Sequence, residues 1–140
     1  MDFSQSLYFS SNALNRQLSQ MADEAFRELG LTSSYALLLM LVDDQPGIQP
    51  TQLSKELQLT PSTITRLVEK MEYRGFVERS SSGRSTHIQL TEKGEDLQPK
   101  LRRAWYQLSD KYTGILGDRY TEVLTEMTYK ASDQIKDVSE

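Results

Sequence analysis

One stretch of this chain concentrates side chains able to hydrogen-bond a polyanion. Ser62, Thr63, Thr65, Arg66, Lys70 and Arg74 lie between Thr60 and Gly75. Ile64, Leu67, Val68 and Met71 alternate with them at i, i+3, i+4 and i+7, the apolar stripe of an amphipathic helix. Thr60 can cap that helix, Pro61 suits its first position, and Gly75 supplies a left-handed stop. Short hydroxyls near the N-terminus, followed by cations, suit a helix entering the DNA major groove, where such groups meet base edges and phosphates. The same residues also cap and solvate ordinary helices, and Arg66 or Arg74 could pair with Glu69 instead. The flanking residues decide between these readings. Lys55 precedes the stretch as a further phosphate contact, with Arg79 after it, and Arg84 follows on what reads as a hairpin tip.

Other chemistries find no residues to carry them. His87 is the one histidine and cysteine is absent, so no cluster of soft metal ligands can form. No loop has the spacing of a hard-cation site. Ser81 and Ser82 beside His87 lack a third group to orient them, and there is no phosphate-binding loop. The expected catalytic residues, metal ligands and cofactors are therefore none. Alternation along its strand sets His87 opposite Ile88 and Leu90, as an exposed residue. Tyr8, Phe26, Tyr35, Trp105 and Tyr106 read as core or dimer packing before pocket lining, and effector-binding residues are not identifiable.

The elements that must position the polar helix follow from periodicity. A long helix spans 5–29, with Leu7, Leu14, Leu18, Met21, Ala25 and Phe26 on one stripe. Gly30 ends it, and Thr32 or Ser33 can cap a helix over 33–43 that is apolar almost all round and should be buried. A third helix, 50–57, starts at Pro50. A tight connection then leads into 61–74, which makes a helix-turn-helix pattern locked by Leu53, Leu57, Leu59, Ile64, Leu67 and Val68. Phe76–Arg79 and Thr86–Leu90 read as short strands around the turn 80–85. This β-hairpin after the polar helix is the wing of a winged helix-turn-helix, and Arg84 on its tip can enter the minor groove. Thr91 caps a helix to about Leu116, bent locally at Pro99, and Asp118 caps a last helix to about Val138.

The predicted fold class is mainly α with a small β-hairpin wing. Its parts are an N-terminal dimerisation helix (1–30), a winged helix-turn-helix (31–91) and C-terminal dimerisation helices (92–140). The terminal helices carry more apolar stripe than one small module can cover, and pairing across a two-fold axis is their simplest use. Net charge is −4 over 140 residues, unevenly spread. Residues 1–48 hold two basic and six acidic side chains, 49–90 six and four, and 91–140 eight and ten. The middle is locally basic, as a DNA-binding module carried on other helices would be. No apolar run reaches membrane-spanning length and the N-terminus has no signal-peptide pattern, so the expected location is the cytoplasm, away from membranes.

Read together, several strings resemble the MarR family of bacterial and archaeal winged-helix transcription regulators. They are Leu29-Gly30-Leu31-Thr32, Gln52-Leu53-Ser54-Lys55-Glu56-Leu57, Thr60 to Val68, Met71 to Arg79, and Ile88-Gln89-Leu90-Thr91-Glu92-Lys93-Gly94. The resemblance implies a triangular homodimer, usually a repressor, on a pseudo-palindromic operator in double-stranded DNA. It implies a major-groove role for helix 61–74 and a minor-groove role for the wing. In many members a small aromatic or anionic effector releases the DNA. The family's wing commonly carries Asp-x-Arg or Asp-Arg-Arg. Here Arg84 matches the last Arg and no Asp precedes it, so a shorter, looser wing is expected. The alternative function is a winged-helix module for protein contacts, without specific DNA reading.

Overall fold

The structure, a computed structural model, describes residues 1–139. Six helices and one hairpin follow in order: α1 (Leu7–Phe26), α2 (Ser33–Asp44), α3 (Pro50–Leu57), α4 (Pro61–Tyr73), β1 (Val77–Ser82), β2 (Ser85–Leu90), α5 (Glu92–Leu116) and α6 (Asp118–Ser139). Two compact units divide α5 between them. The first is Met1–Trp105, and the second begins at Tyr106 and contains the end of α5 with α6.

In the first unit α2 is the central element. It packs against α1, α3, α4 and β2. Ala36, Leu38, Leu39, Met40 and Val42 of this helix are buried, as its nearly all-round apolar sequence requires. Phe26, Leu53, Ile64, Met71, Ile88 and Leu101 complete the core around it. Truncating any of these large side chains would cost about 2–5 kcal/mol.

Helix ends differ from the sequence reading where side chains intervene. The predicted helix 5–29 is α1 with a short 3-10 turn on each side, Phe3–Gln5 and Arg27–Leu29. The Ser6 hydroxyl accepts from the Phe9 amide at 3.3 Å and fixes the start of α1. Neither candidate hydroxyl caps α2. The Asp23 carboxylate of α1 accepts from the Ser33 amide at 3.1 Å instead, so the cap is a tertiary contact. Thr60 does cap α4, accepting from the Thr63 amide, and Gly75 takes the left-handed conformation at φ +81°. Between α3 and α4, Gln58 is left-handed at φ +54° although it carries a side chain.

The hairpin is longer and more regular than predicted. Six residues of β1 pair with six of β2, from Val77–Leu90 to Ser82–Ser85, leaving Gly83 and Arg84 as a two-residue tip. Gly83 has φ +63° while Arg84 does not, the pattern of a type II′ hairpin turn. The expected looseness is thus absent from the ladder. The serines that read as loop are ladder residues, because backbone hydrogen bonds do not depend on side-chain type. Ile48 adds an isolated bridge to Ile88, and His87 is half-buried, its Nδ1 donating to the Gly47 carbonyl at 2.9 Å. Its predicted exposure is corrected by this contact with the α2–α3 connection.

The base of the wing is locked to the start of α5. Thr91 donates from its amide to the Phe76 carbonyl at 3.0 Å and from its hydroxyl to the Gly75 carbonyl. The same hydroxyl accepts from the Gly94 amide at 3.2 Å, capping α5. A Cβ on Gly94 would lie 2.2 Å from the Phe76 carbonyl oxygen, so this close approach requires glycine. Helix α5 runs on through Pro99 as one element. Arg102 ties it to the end of α2, donating to the Met40 carbonyl at 3.2 Å and to Asp43 and Asp44 at 3.0 and 2.8 Å. These two carboxylates hold the Arg102 guanidinium above its ordinary pKa, Asp44 most strongly.

In the second unit, no residue of α6 is buried among those described. Tyr120, Met127, Ile135 and Val138 of this helix are exposed by 60, 65, 63 and 89 %.

Candidate nucleic-acid interface

Helix α4 separates its two faces cleanly. Ile64, Leu67, Val68 and Met71 are buried, while Ser62, Thr65, Arg66, Glu69, Lys70 and Tyr73 are exposed. Ser62, Arg66, Glu69 and Tyr73 fall at i, i+4, i+7 and i+11, one line along the solvent face. The N-terminal hydroxyls form a local network. Thr60 Oγ1 lies 2.8 Å from Thr63 Oγ1 and 3.2 Å from Ser62 Oγ. Thr65 donates back to the Pro61 carbonyl at 3.0 Å, which leaves its oxygen free to accept. Arg66 donates to Thr63 Oγ1 at 3.4 Å, and no carboxylate holds it.

The predicted site residues do not all share this surface. Ser62, Thr65, Arg66 and Lys70 lie together on it, with Thr63 half-buried at its edge. Lys55 is exposed in the last turn of α3. Arg84 is exposed at the wing tip beside Gly83, around whose Cβ position nothing lies within 4 Å. Arg74 is elsewhere. Its Nη1 donates to the Gly30 carbonyl at 2.8 Å, and its guanidinium sits 5.3 Å from the Phe76 ring centroid. Lys93 contacts the same ring at 4.5 Å and donates to the Arg74 carbonyl at 2.8 Å. Helical phase explains the difference, since position 74 lies a quarter turn or so from the buried stripe.

Arg79, read from sequence as a phosphate contact, is bound to Glu72 through two bonds of 2.8 and 3.3 Å. This pairing lowers the Glu72 pKa and raises that of Arg79. Tyr73 was missed. It is 85 % exposed at the far end of the α4 face, and helical phase alone would have placed it there.

Residues 31–85 match the profile of the MarR family. The HTH-type transcriptional regulator YybA of Bacillus subtilis is 30% identical over 91 residues, which cover 63% of this chain and 61% of that protein. The transcriptional repressor MprA of Escherichia coli is 29% identical over 109 residues, covering 69% of this chain and 62% of that one. The matched stretch thus spans less than two thirds of either relative. Among solved structures, a MarR-family transcriptional regulator from Rhodococcus sp. RHA1 superposes with a TM-score of 0.81 at 22% identity, over 91% of this chain and 93% of its own. CouR from Rhodococcus jostii RHA1, bound to p-coumaroyl-CoA, gives 0.79 at 22% identity over 91 and 92%. Among the described residues no single helix is long and apolar enough to cross a membrane. The match over residues 31–85 takes in α2, α3, α4 and β1, the elements that build the α4 face and the first strand of the wing, and the chain has the winged helix-turn-helix fold of these regulators.

Proposed function

We propose that the chain is a homodimeric, sequence-specific DNA-binding regulator of transcription that acts as a repressor. The observation that carries this reading is the solvent face of α4, where Arg66 stands without a carboxylate partner among exposed hydroxyls. In this reading Ser62, Thr63, Thr65 and Arg66 meet base edges in the major groove, and Lys55 and Lys70 meet phosphates. Arg84 reaches the minor groove from a tip that the hairpin ladder holds out. Arg74 sets the position of α4 rather than touching DNA. The exposed apolar residues of α6 form the contact with a second copy. Two reading helices then meet half-sites about one DNA turn apart. Several structures of this fold hold small molecules, p-coumaroyl-CoA in CouR and a natural ligand in PcaV. A small effector acting on this chain would have to bind its DNA-incompetent form better than the competent one.

The test is titration of the pure protein against DNA from its own upstream region at two salt concentrations. Tight, competitor-resistant binding that weakens with salt supports the reading, and a flat salt response counts against it. Arg66→Ala should lower specific affinity by about tenfold or more and leave the dimer intact. The rival, a winged helix docking a protein, draws on the net charge of −4. It predicts that Arg66→Ala leaves DNA affinity unchanged.

A further inference from the structure

The carboxylate of Glu69 stands in the middle of the α4 solvent face, one turn after Arg66 and one before Tyr73. Among the described residues it makes no hydrogen bond and no ion pair. Arg79 feels its charge, but that guanidinium is already bound to Glu72. An unpaired carboxylate on a face that approaches phosphates is repelled, and it finds one attractive partner class in the major groove. That class is an exocyclic amino group, of which cytosine N4 is the preferred match for Glu. Thymine and guanine present only acceptors on that edge, and a carboxylate opposes them.

We infer that Glu69 is a specificity-determining residue that selects cytosine at one position of each half-site. This rests on the DNA-reading function proposed above. Residues 66 and 69 are separated by about 4.5 Å along the helix axis. That is a little more than the 3.4 Å between successive bases of one strand, so Arg66 and Glu69 address neighbouring base pairs. Arg66 favours guanine and Glu69 favours cytosine, each excluding what the other accepts.

The experiment selects binding sites from a pool of randomised double-stranded DNA with the wild-type dimer, Glu69→Gln and Glu69→Ala. Glu69 holds no other residue in place, so both variants retain the fold. Gln pairs with adenine N6 and N7, so Glu69→Gln should move the preference at one column per half-site from cytosine to adenine. Glu69→Ala should flatten that column, with discrimination falling roughly tenfold, and leave the Arg66 column unchanged. If both variants keep the wild-type motif and only bind all DNA more tightly, Glu69 merely repels phosphates and the inference falls while the regulator stands. If the wild-type protein enriches no motif, the DNA-reading function falls and this inference with it.

Discussion

The winged region and helix α6 are built from similar proportions of apolar residues and treat them in opposite ways. In the winged region almost every large apolar side chain has an internal partner, from Leu38 and Leu39 in α2 to Met71 in α4 and Ile88 in β2. Even its polar anchors are internal. Asp23 caps α2, Thr91 joins the wing to α5, and Arg74 reaches the Gly30 carbonyl. Helix α6 is amphipathic with no such closure: Met127, Ile135 and Val138 are exposed, while Val123, Leu124 and Ala131 are half-buried. A patch of that kind marks an interaction site. The first region finishes its own fold, and the second leaves large apolar side chains exposed.

The comparison breaks most visibly at Gly94. Gly94→Ala drives a Cβ onto the Phe76 carbonyl, a backbone atom that cannot swing aside. We expect a loss of about 3 kcal/mol or more, seen as a large fall in the thermal midpoint. A midpoint near wild type would show that wing and α5 are not closely joined. On the other side, Met127→Glu with Ile135→Glu should weaken self-association by more than about tenfold in sedimentation. Amide exchange in α2 and α4 should stay slow at matched assembly state. Monomers formed with a melted winged region would abolish the distinction. Arg74→Ala removes the tie to Gly30 and the contact with Phe76, at about 1–2 kcal/mol in denaturant unfolding. DNA affinity lost without any stability change would place Arg74 in the groove instead.

The smallest effect comes from Glu72. Its pKa is depressed by Arg79, so the pair stabilises the fold above the unfolded-state pKa of Glu72, and that contribution disappears as pH falls through the folded value. The pair is more than a third exposed, which limits it to ~0–1 kcal/mol. Glu72→Gln should flatten this acid dependence slightly in thermal scans, and an unchanged pH profile would remove the pair from the account.

Much of this architecture is legible in residue order because it depends on periodicity and punctuation. Pro50, Pro61, Gly30 and Gly75 set element limits, and the stripe through Ile64 and Met71 assigns the buried face of α4. What sequence leaves open depends on contacts between distant residues. Nothing local says that Asp23 will cap α2, or that His87 will find Gly47 across the fold. The Arg residues illustrate the limit within the candidate site itself. Arg66, Arg74 and Arg79 look alike in sequence, yet one is free of carboxylates, one holds a carbonyl and one holds Glu72. The full ladder of the wing escaped for a different reason, since a run of serines carries turn chemistry and no strand alternation.

The left-handed Gln58 bears on how α3 and α4 stay joined. A residue with a side chain pays locally for that conformation, where glycine would not. The bend between α3 and α4 is therefore imposed by burial of Leu53 and Ile64 against α2 rather than encoded at the bend. A synthetic peptide spanning 50–74 should lose the angle between its helices in water, and Gln58→Gly should recover little of it. Within the folded chain the same replacement relieves the frustrated corner. The helix-turn-helix of this protein is thus a property of its surroundings, and cannot be transplanted as a free-standing piece.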